Sequence, residues 1–327
     1  MMMLARKAEI LIDHSIADST RRNYVSGVRN YILFCEQLDL IPFPLYQNNV
    51  ILFVTDLSTS VSVSSINVQL SAIKFMDQKY GYNSNFADFK RLYLLIRGIK
   101  RTQGLRFRKK KRLPITPVML LDMKSRLFSS SRRFGDKKMI WAAMMSAFFG
   151  FLRVSEYTSG SAKMYDEHTT LCIQDITFPS NGDSCNVQLK ASKTDPFRVG
   201  VQIRMDRNDS QLCPIHALQQ FLATHPTQTG PLFTFENGSF LTRQSFSKIL
   251  KSLLPEKLGV SSHSFRIGAA TTAAAAGFPK WLIKSLGRWS SDCFRDYIRI
   301  PNSTFKQVST SLIQEPGNSV VFDPDLL

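Results

Sequence analysis

Three short runs near the C-terminal end of this 327-residue chain carry residue types that could act together: His263-Ser264-Phe265-Arg266, Leu286-Gly287-Arg288-Trp289 and Tyr297-Ile298-Arg299. Residues three apart on a helix share a face, so His263 and Arg266 can point at one phosphate. Tyr297 follows a glycine break, which allows it to fold back over the same group. A phenol beside a His and an Arg suits nucleophilic attack on a phosphodiester, giving a covalent phosphotyrosine. Three ordinary helices with an unrelated His, Arg and Tyr would spell the same letters. The weight therefore falls on the rest of the chain.

Two upstream residues extend the set. Arg153 comes just after the apolar run Trp141–Phe149, where a charge is costly unless paired. Glu156, three residues on, can hold its guanidinium. Alone this is a structural ion pair; with Arg266 it becomes a two-arginine clamp suited to the extra charge of a pentacoordinate phosphate. Lys193 sits in Ser192-Lys193-Thr194-Asp195-Pro196, a segment with turn chemistry between two alternating apolar stretches. On a hairpin tip it could donate a proton to a leaving oxygen; by itself it reads as an exposed turn lysine.

The elements that would position these residues are mostly helices. Tyr24, Val28, Tyr31, Ile32, Cys35 and Leu38 repeat at helical spacing after a cap expected at Ser19. Further helices are expected at about 50–57, around Ile66, Leu70 and Ile73, and around Phe89, Leu92, Tyr93 and Ile96. Arg21, Arg22 and Lys74 flank these stripes as candidate contacts to an anionic partner. Residues 1–100 thus read as a helical domain with basic faces, and 101–116 as a linker. Most of residues 100–112 are Lys or Arg. Arg106, Arg108, Lys109, Lys110, Lys111 and Arg112 would form a strap along a phosphate backbone, or a nuclear localisation signal. From 117 to 303 helices are expected at about 117–128, 137–149, 214–223, 243–253, 262–276, 279–286 and 290–299, with Gly277 and Gly287 as helix stops. A strand-like stretch at 170–178 and a β-hairpin with Lys193 at or near its tip add a small β component. In the tail, 304–327, Phe305, Val308 and Leu312 share one face of a short helix over 303–313.

Composition narrows the partner. The net charge is +17 with 43% hydrophobic residues, which points to a polyanion, nucleic acid before an anionic membrane surface. No apolar run approaches the roughly 20 residues of a membrane span, and the first twenty residues lack a signal-peptide core, so the chain reads as intracellular. The five cysteines lie far apart, and no His or Cys spacing suggests a metal site.

In order, Arg153, Lys193, His263-x-x-Arg266 and Tyr297 resemble the active-site series of the tyrosine recombinase (phage integrase) family. Gly150-Phe-Leu-Arg153-Val-Ser-Glu156 is similar to its first-arginine box, His263-Ser-Phe-Arg266-Ile-Gly-Ala-Ala to its His-x-x-Arg box, and Leu286-Gly-Arg-Trp-Ser-Ser through Tyr297-Ile-Arg to its tyrosine box. The resemblance covers about 18–303. The Lys193 hairpin and Gly-Arg-Trp variant are most similar to eukaryotic mobile-element recombinases of the Crypton and DIRS type. It implies a mainly α, two-domain, C-shaped clamp on double-stranded DNA: a helical (SAM-like) core-binding domain, then the catalytic domain. It further implies metal- and cofactor-free cleavage through a 3′-phosphotyrosine on Tyr297, a homo-tetramer on paired sites, and a C-terminal helix docked on a neighbouring protomer. In this scheme Arg153 and Arg266 stabilise charge, His263 positions or deprotonates, and Lys193 is the general acid. The family's His or Trp nine residues before the tyrosine is here Arg288, with Trp289 one later; either Trp289 fills the role or Arg288 replaces it. A type IB topoisomerase shares the chemistry, and a catalytically silent DNA-binding protein shares the charge.

Overall fold

A computed structural model describes residues 2–104, 112–192, 195, 197–225, 227–255 and 258–299. The chain divides into two compact units, Met1–Lys110 and Lys111–Leu327.

Among the described residues the first unit is helical: α1 (Met2–Asp13), α2 (Asp18–Gln37), α3 (Gln47–Ser58), α4 (Val63–Lys79) and α5 (Lys90–Gln103). The expected apolar stripe of α2 turns Val28, Tyr31 and Cys35 into the core, but Leu38 caps the helix and is exposed. The N-cap is Ala17, not Ser19, and makes no side-chain cap bond; Asp18 in the first turn supplies negative charge at the positive helix end instead. Gly27 lets α2 approach α4, since a Cβ there would lie 2.9 Å from that of Ala72. Phe53, Val54, Ile66, Ile73 and Leu92 complete this core. α5 runs on through Gln103, so Lys100 and Arg101 are helical; Gln103 anchors its end by donating to the carbonyls of Ser58 and Val61. α1 buries none of its side chains.

The second unit is built on α7 (Phe134–Phe149), nearly all of whose side chains from Met139 onward are buried. α6 (Pro117–Ser129), capped by Thr116 as expected, packs on it, as do α9 (Pro214–Leu222) and α11 (Ser264–Ala275). α8 (Val154–Tyr157), α10 (Arg243–Leu253) and α12 (Lys280–Leu286) are the remaining α-helices among the described residues. β1 (Ile176–Thr177), β2 (Ser184–Leu189) and β3 (Val201–Asp206) form an antiparallel sheet in that order, with Val187 opposite Ile203.

Two expectations are corrected. The stretch 170–178 holds a short 3₁₀ turn at Ile173–Asp175, with only Ile176 and Thr177 in a strand; the buried Asp175 carboxylate accepts from the Cys172 amide and pairs with Lys190, closing the turn. The helix expected at 290–299 is a five-residue 3₁₀ turn, Asp292–Asp296, with Tyr297 at its end. Ser291 is extended (φ −118°, ψ 176°), so the turn begins only at Asp292, and beyond it the Tyr297 carbonyl and the Arg299 amide bond to the Thr271 hydroxyl rather than within a helix.

Candidate active site

The site is built where two helices stop. α7 ends with Gly150 and then Phe151 in the left-handed region (φ 50°). The Leu152 amide donates to the Ala147 carbonyl and the Phe151 amide to that of Phe148, the paired bonds of a Schellman stop. α12 ends the same way: Arg288 is left-handed (φ 54°), Trp289 N–H reaches the Lys284 carbonyl, and Arg288 N–H that of Ser285. Left-handed backbone is uncommon for bulky side chains. Gly277 fills the left-handed position after α11 as expected (φ 81°), but Gly287 does not: it sits one residue early. Its missing Cβ has another use, because the Trp289 indole lies across it; a Cβ there would fall 1.6 Å from the ring.

Arg153 caps α8 and is held twice by buried Glu156: backbone N–H to Oε2 and Nη1 to Oε1, both at 2.8 Å. Arg288 Nη2 takes the other side of the same carboxylate, at 2.7 Å from Oε2. Arg266, three residues into α11, is fully buried. Its two terminal nitrogens donate to the carbonyls of Phe151 and Gly287, and its guanidinium lies 4.3 Å from the centre of the Trp289 ring.

Trp289 in turn packs on Tyr297, and His263 packs on Tyr297 from its other neighbour, each at a ring separation of 5.1 Å. The tyrosine turn is tied to α11 by Thr271, whose hydroxyl donates to the Tyr297 carbonyl and accepts from the Arg299 amide. His263 is the residue before α11 rather than within it, yet it still shares the site with Arg266. Trp289 stands beside Tyr297, while Arg288 turns away to Glu156 and the carbonyls of Gly150 and Phe151.

Electrostatically the cluster wants an anion. Arg153 and Arg288 share the Glu156 carboxylate, while among the described residues Arg266 is neutralised by no carboxylate of its own and donates to backbone carbonyls. Burial, followed by the charges of Arg153 and Arg288, pushes Arg266 down to about 9 from 12.5, and burial also lowers Arg288. His263 is lowered to about 4, first by burial and then by Arg112, Arg266, Arg153 and Arg243. It is therefore neutral near pH 7 and free to accept a proton or a hydrogen bond. A phosphate placed among these groups would relieve the repulsion.

Other expected site residues stand apart or outside view. Lys193, Arg106, Arg108, Lys109, Lys110 and Lys111 lie outside the described residues, as does the 303–313 helix. Asp195 accepts from the Val199 and Gly200 amides (3.1 and 2.8 Å), closing the loop that precedes β3. Arg112 is exposed. In the first unit Arg22 is exposed, Arg21 pairs with Asp18, and Lys74 lies over the Phe86 ring at 5.9 Å. Sequence reasoning missed Thr271, Arg243 and the Phe151 carbonyl, which accepts from both Arg266 and Arg288. None had a local signal, since each acts across twenty or more residues or through the backbone.

No family model and no curated protein sequence matches the chain. Solved structures do. A XerH site-specific recombinase bound to palindromic difH substrate, in a post-cleavage complex, aligns with TM-score 0.54 at 13% identity over 81% of this chain and 70% of that one. The Tn1549 transposon integrase in complex with transposon right-end DNA aligns with TM-score 0.55 at 13% identity, covering 91% and 94%. A lambda integrase dimer bound to a COC′ core site gives TM-score 0.55 at 13% identity, covering 90% and 94%. The likeness is one of fold: a mainly helical chain with a small antiparallel sheet, as in the tyrosine recombinases and integrases.

Proposed function

We propose that this chain breaks and rejoins double-stranded DNA as a tyrosine recombinase, in site-specific recombination or integration. The observation that carries the reading is the convergence of Arg153, His263, Arg266, Trp289 and Tyr297 around an arginine-rich site with one counter-charge. Tyr297 Oη attacks the scissile phosphorus, and its proton passes to neutral His263 or to solvent. The bond from phosphorus to the 5′ oxygen breaks, and the 5′-hydroxyl leaves with a proton from Lys193. Arg153 and Arg266 stabilise the charge on the pentacoordinate phosphate. Trp289 buttresses Tyr297 and can offer its indole N–H. A 5′-hydroxyl from a partner duplex then attacks the 3′-phosphotyrosine and frees Tyr297. One ester replaces another at each step, so neither a nucleotide cofactor nor a metal is invoked.

The net charge of +17 supports the DNA partner. Arg21, Arg22, Lys74 and the run Arg106–Arg112 are the proposed backbone contacts. The same reading includes the 1–100, 101–116, 117–303 and 304–327 division, a homo-tetramer on paired sites, a kinship with Crypton- and DIRS-type elements, and a nuclear location in a eukaryotic host.

The test is selection of bound duplexes from a random pool, followed by incubation with nicked versions that strand the cleaved product. Wild type should leave a protein–DNA adduct on a denaturing gel, and Tyr297→Phe should bind equally and leave none. Undiminished adduct from Tyr297→Phe would sink the nucleophile assignment. Binding without any wild-type adduct would favour a silent DNA-binding protein, and supercoil relaxation without strand exchange a topoisomerase.

A further inference from the structure

Arg288 stands nine residues before Tyr297, where the family resemblance expects a phosphate ligand, yet its guanidinium is directed at a buried carboxylate and two backbone carbonyls. Its side chain is 13% exposed. Nη2 lies 2.7 Å from Glu156 Oε2 and 3.3 Å from the Phe151 carbonyl, and Nη1 is 3.1 Å from the Gly150 carbonyl. Glu156 gives its other oxygen to Arg153. The carboxylate is therefore a bridge between two guanidiniums, one from each helix stop. Arg288 also holds a left-handed conformation that glycine would adopt without strain. Its side-chain contacts offset that strain, so the guanidinium has a use beyond ending α12.

We infer that Arg288 is a positioning residue: through Glu156 it fixes Arg153, and through the Gly150 and Phe151 carbonyls it locks the loop carrying Arg153 to the loop that delivers Trp289 and Tyr297. The charge it brings is consumed inside the protein. Without Arg288, Glu156 would be free to swing its full charge onto Arg153 and draw that side chain away from a phosphate. Arg288 thus keeps Arg153 available by competing for its counter-ion. This inference rests on the recombinase reading and deepens it.

The experiment is a double-mutant cycle between residues 153 and 288 in the full chain. Single-turnover adduct formation is measured on the selected nicked duplex. Arg288→Gly suits the left-handed backbone, so it should fold and bind DNA as wild type does, which the thermal midpoint and a binding titration monitor. It should slow adduct formation by about 10- to 100-fold, the range seen when a group orienting a reactive ligand is removed. Arg288→Lys keeps a cation near Glu156 and should recover part of the rate. In an Arg153→Ala background the extra loss from Arg288→Gly should shrink to about 2-fold or less, because there is no longer an Arg153 to position. Losses that multiply in full would mean that Arg288 acts on the phosphate itself and would overturn the inference, as would an unchanged rate in Arg288→Gly. A loss of rate matched by loss of folding or binding in Arg288→Gly, with no recovery in Arg288→Lys, would also overturn it. If wild type forms no adduct, the recombinase reading falls first and the inference with it.

Discussion

Protonating His263 should destabilise the folded chain in a defined pH window. Burial, with Arg112, Arg266, Arg153 and Arg243 around it, lowers its pKa from 6.5 to about 4. Above pH 6.5 the imidazole is neutral in both folded and unfolded chains and contributes nothing to pH dependence. Between 6.5 and about 4 the unfolded chain takes up a proton that the folded chain refuses, so stability falls as pH drops through this window. Below about 4 both states are charged and the loss is complete. The gap corresponds to about 3 kcal/mol. Carboxylates also titrate in the lower part of the range, so the informative quantity is a difference between proteins. His263→Gln keeps a polar side chain of similar reach without titrating. Urea unfolding from pH 7 to pH 4 should show wild type losing about 3 kcal/mol more than His263→Gln, and the His263 ring carbon signal in NMR should move only near pH 4. Parallel stability curves, or a ring that titrates near 6.5, would refute the account of a partly buried, arginine-ringed histidine.

Three further outcomes are expected. Gly287→Ala drives a methyl into the Trp289 indole; it should cost about 1–3 kcal/mol in denaturant unfolding and abolish adduct formation, with Trp289→Phe added to it recovering stability. Arg153→Ala and Arg266→Ala should each slow cleavage by about 100-fold or more, in the presence of EDTA as in its absence, and Mg²⁺-dependent cleavage would point to a different nuclease chemistry. Replacing the basic residues of Arg106–Arg112 with Gln should weaken binding about equally on all duplexes and reduce the slope of log affinity against log salt by roughly 0.9 per lost phosphate contact; an unchanged slope leaves the run a linker or a localisation signal.

Much of the fold could be read from periodicity. The apolar spacing of α2 and α4, the Thr116 cap and the alternation of Val187 and Leu189 are local signals, and a local signal survives in one dimension. The apolar run Trp141–Phe149 in α7 announced a buried central helix but not what would pack on it. The two misread segments, 170–178 and 290–299, are short pieces whose form was set by distant demands: a buried Asp175 pairing with Lys190, and the Tyr297 and Arg299 backbone tied to the Thr271 hydroxyl on α11.

What the sequence determined by itself was the inventory and its order: the boxes around Arg153, His263-x-x-Arg266 and Tyr297, the Arg153–Glu156 pair three residues apart, and a charge that calls for a polyanion. Only the tertiary structure puts Trp289, and not Arg288, against Tyr297. Counting residues back from Tyr297 gives Arg288, but Arg288 takes the left-handed place in the stop of α12, and that rotates the next residue, Trp289, onto Tyr297 and under Arg266. The bridge from Arg153 through Glu156 to Arg288 was equally hidden, because it joins residues 132 positions apart. Chain spacing specifies neighbours along a helix; which guanidinium meets which carboxylate across the core is set by where two helices end and how their last residues turn.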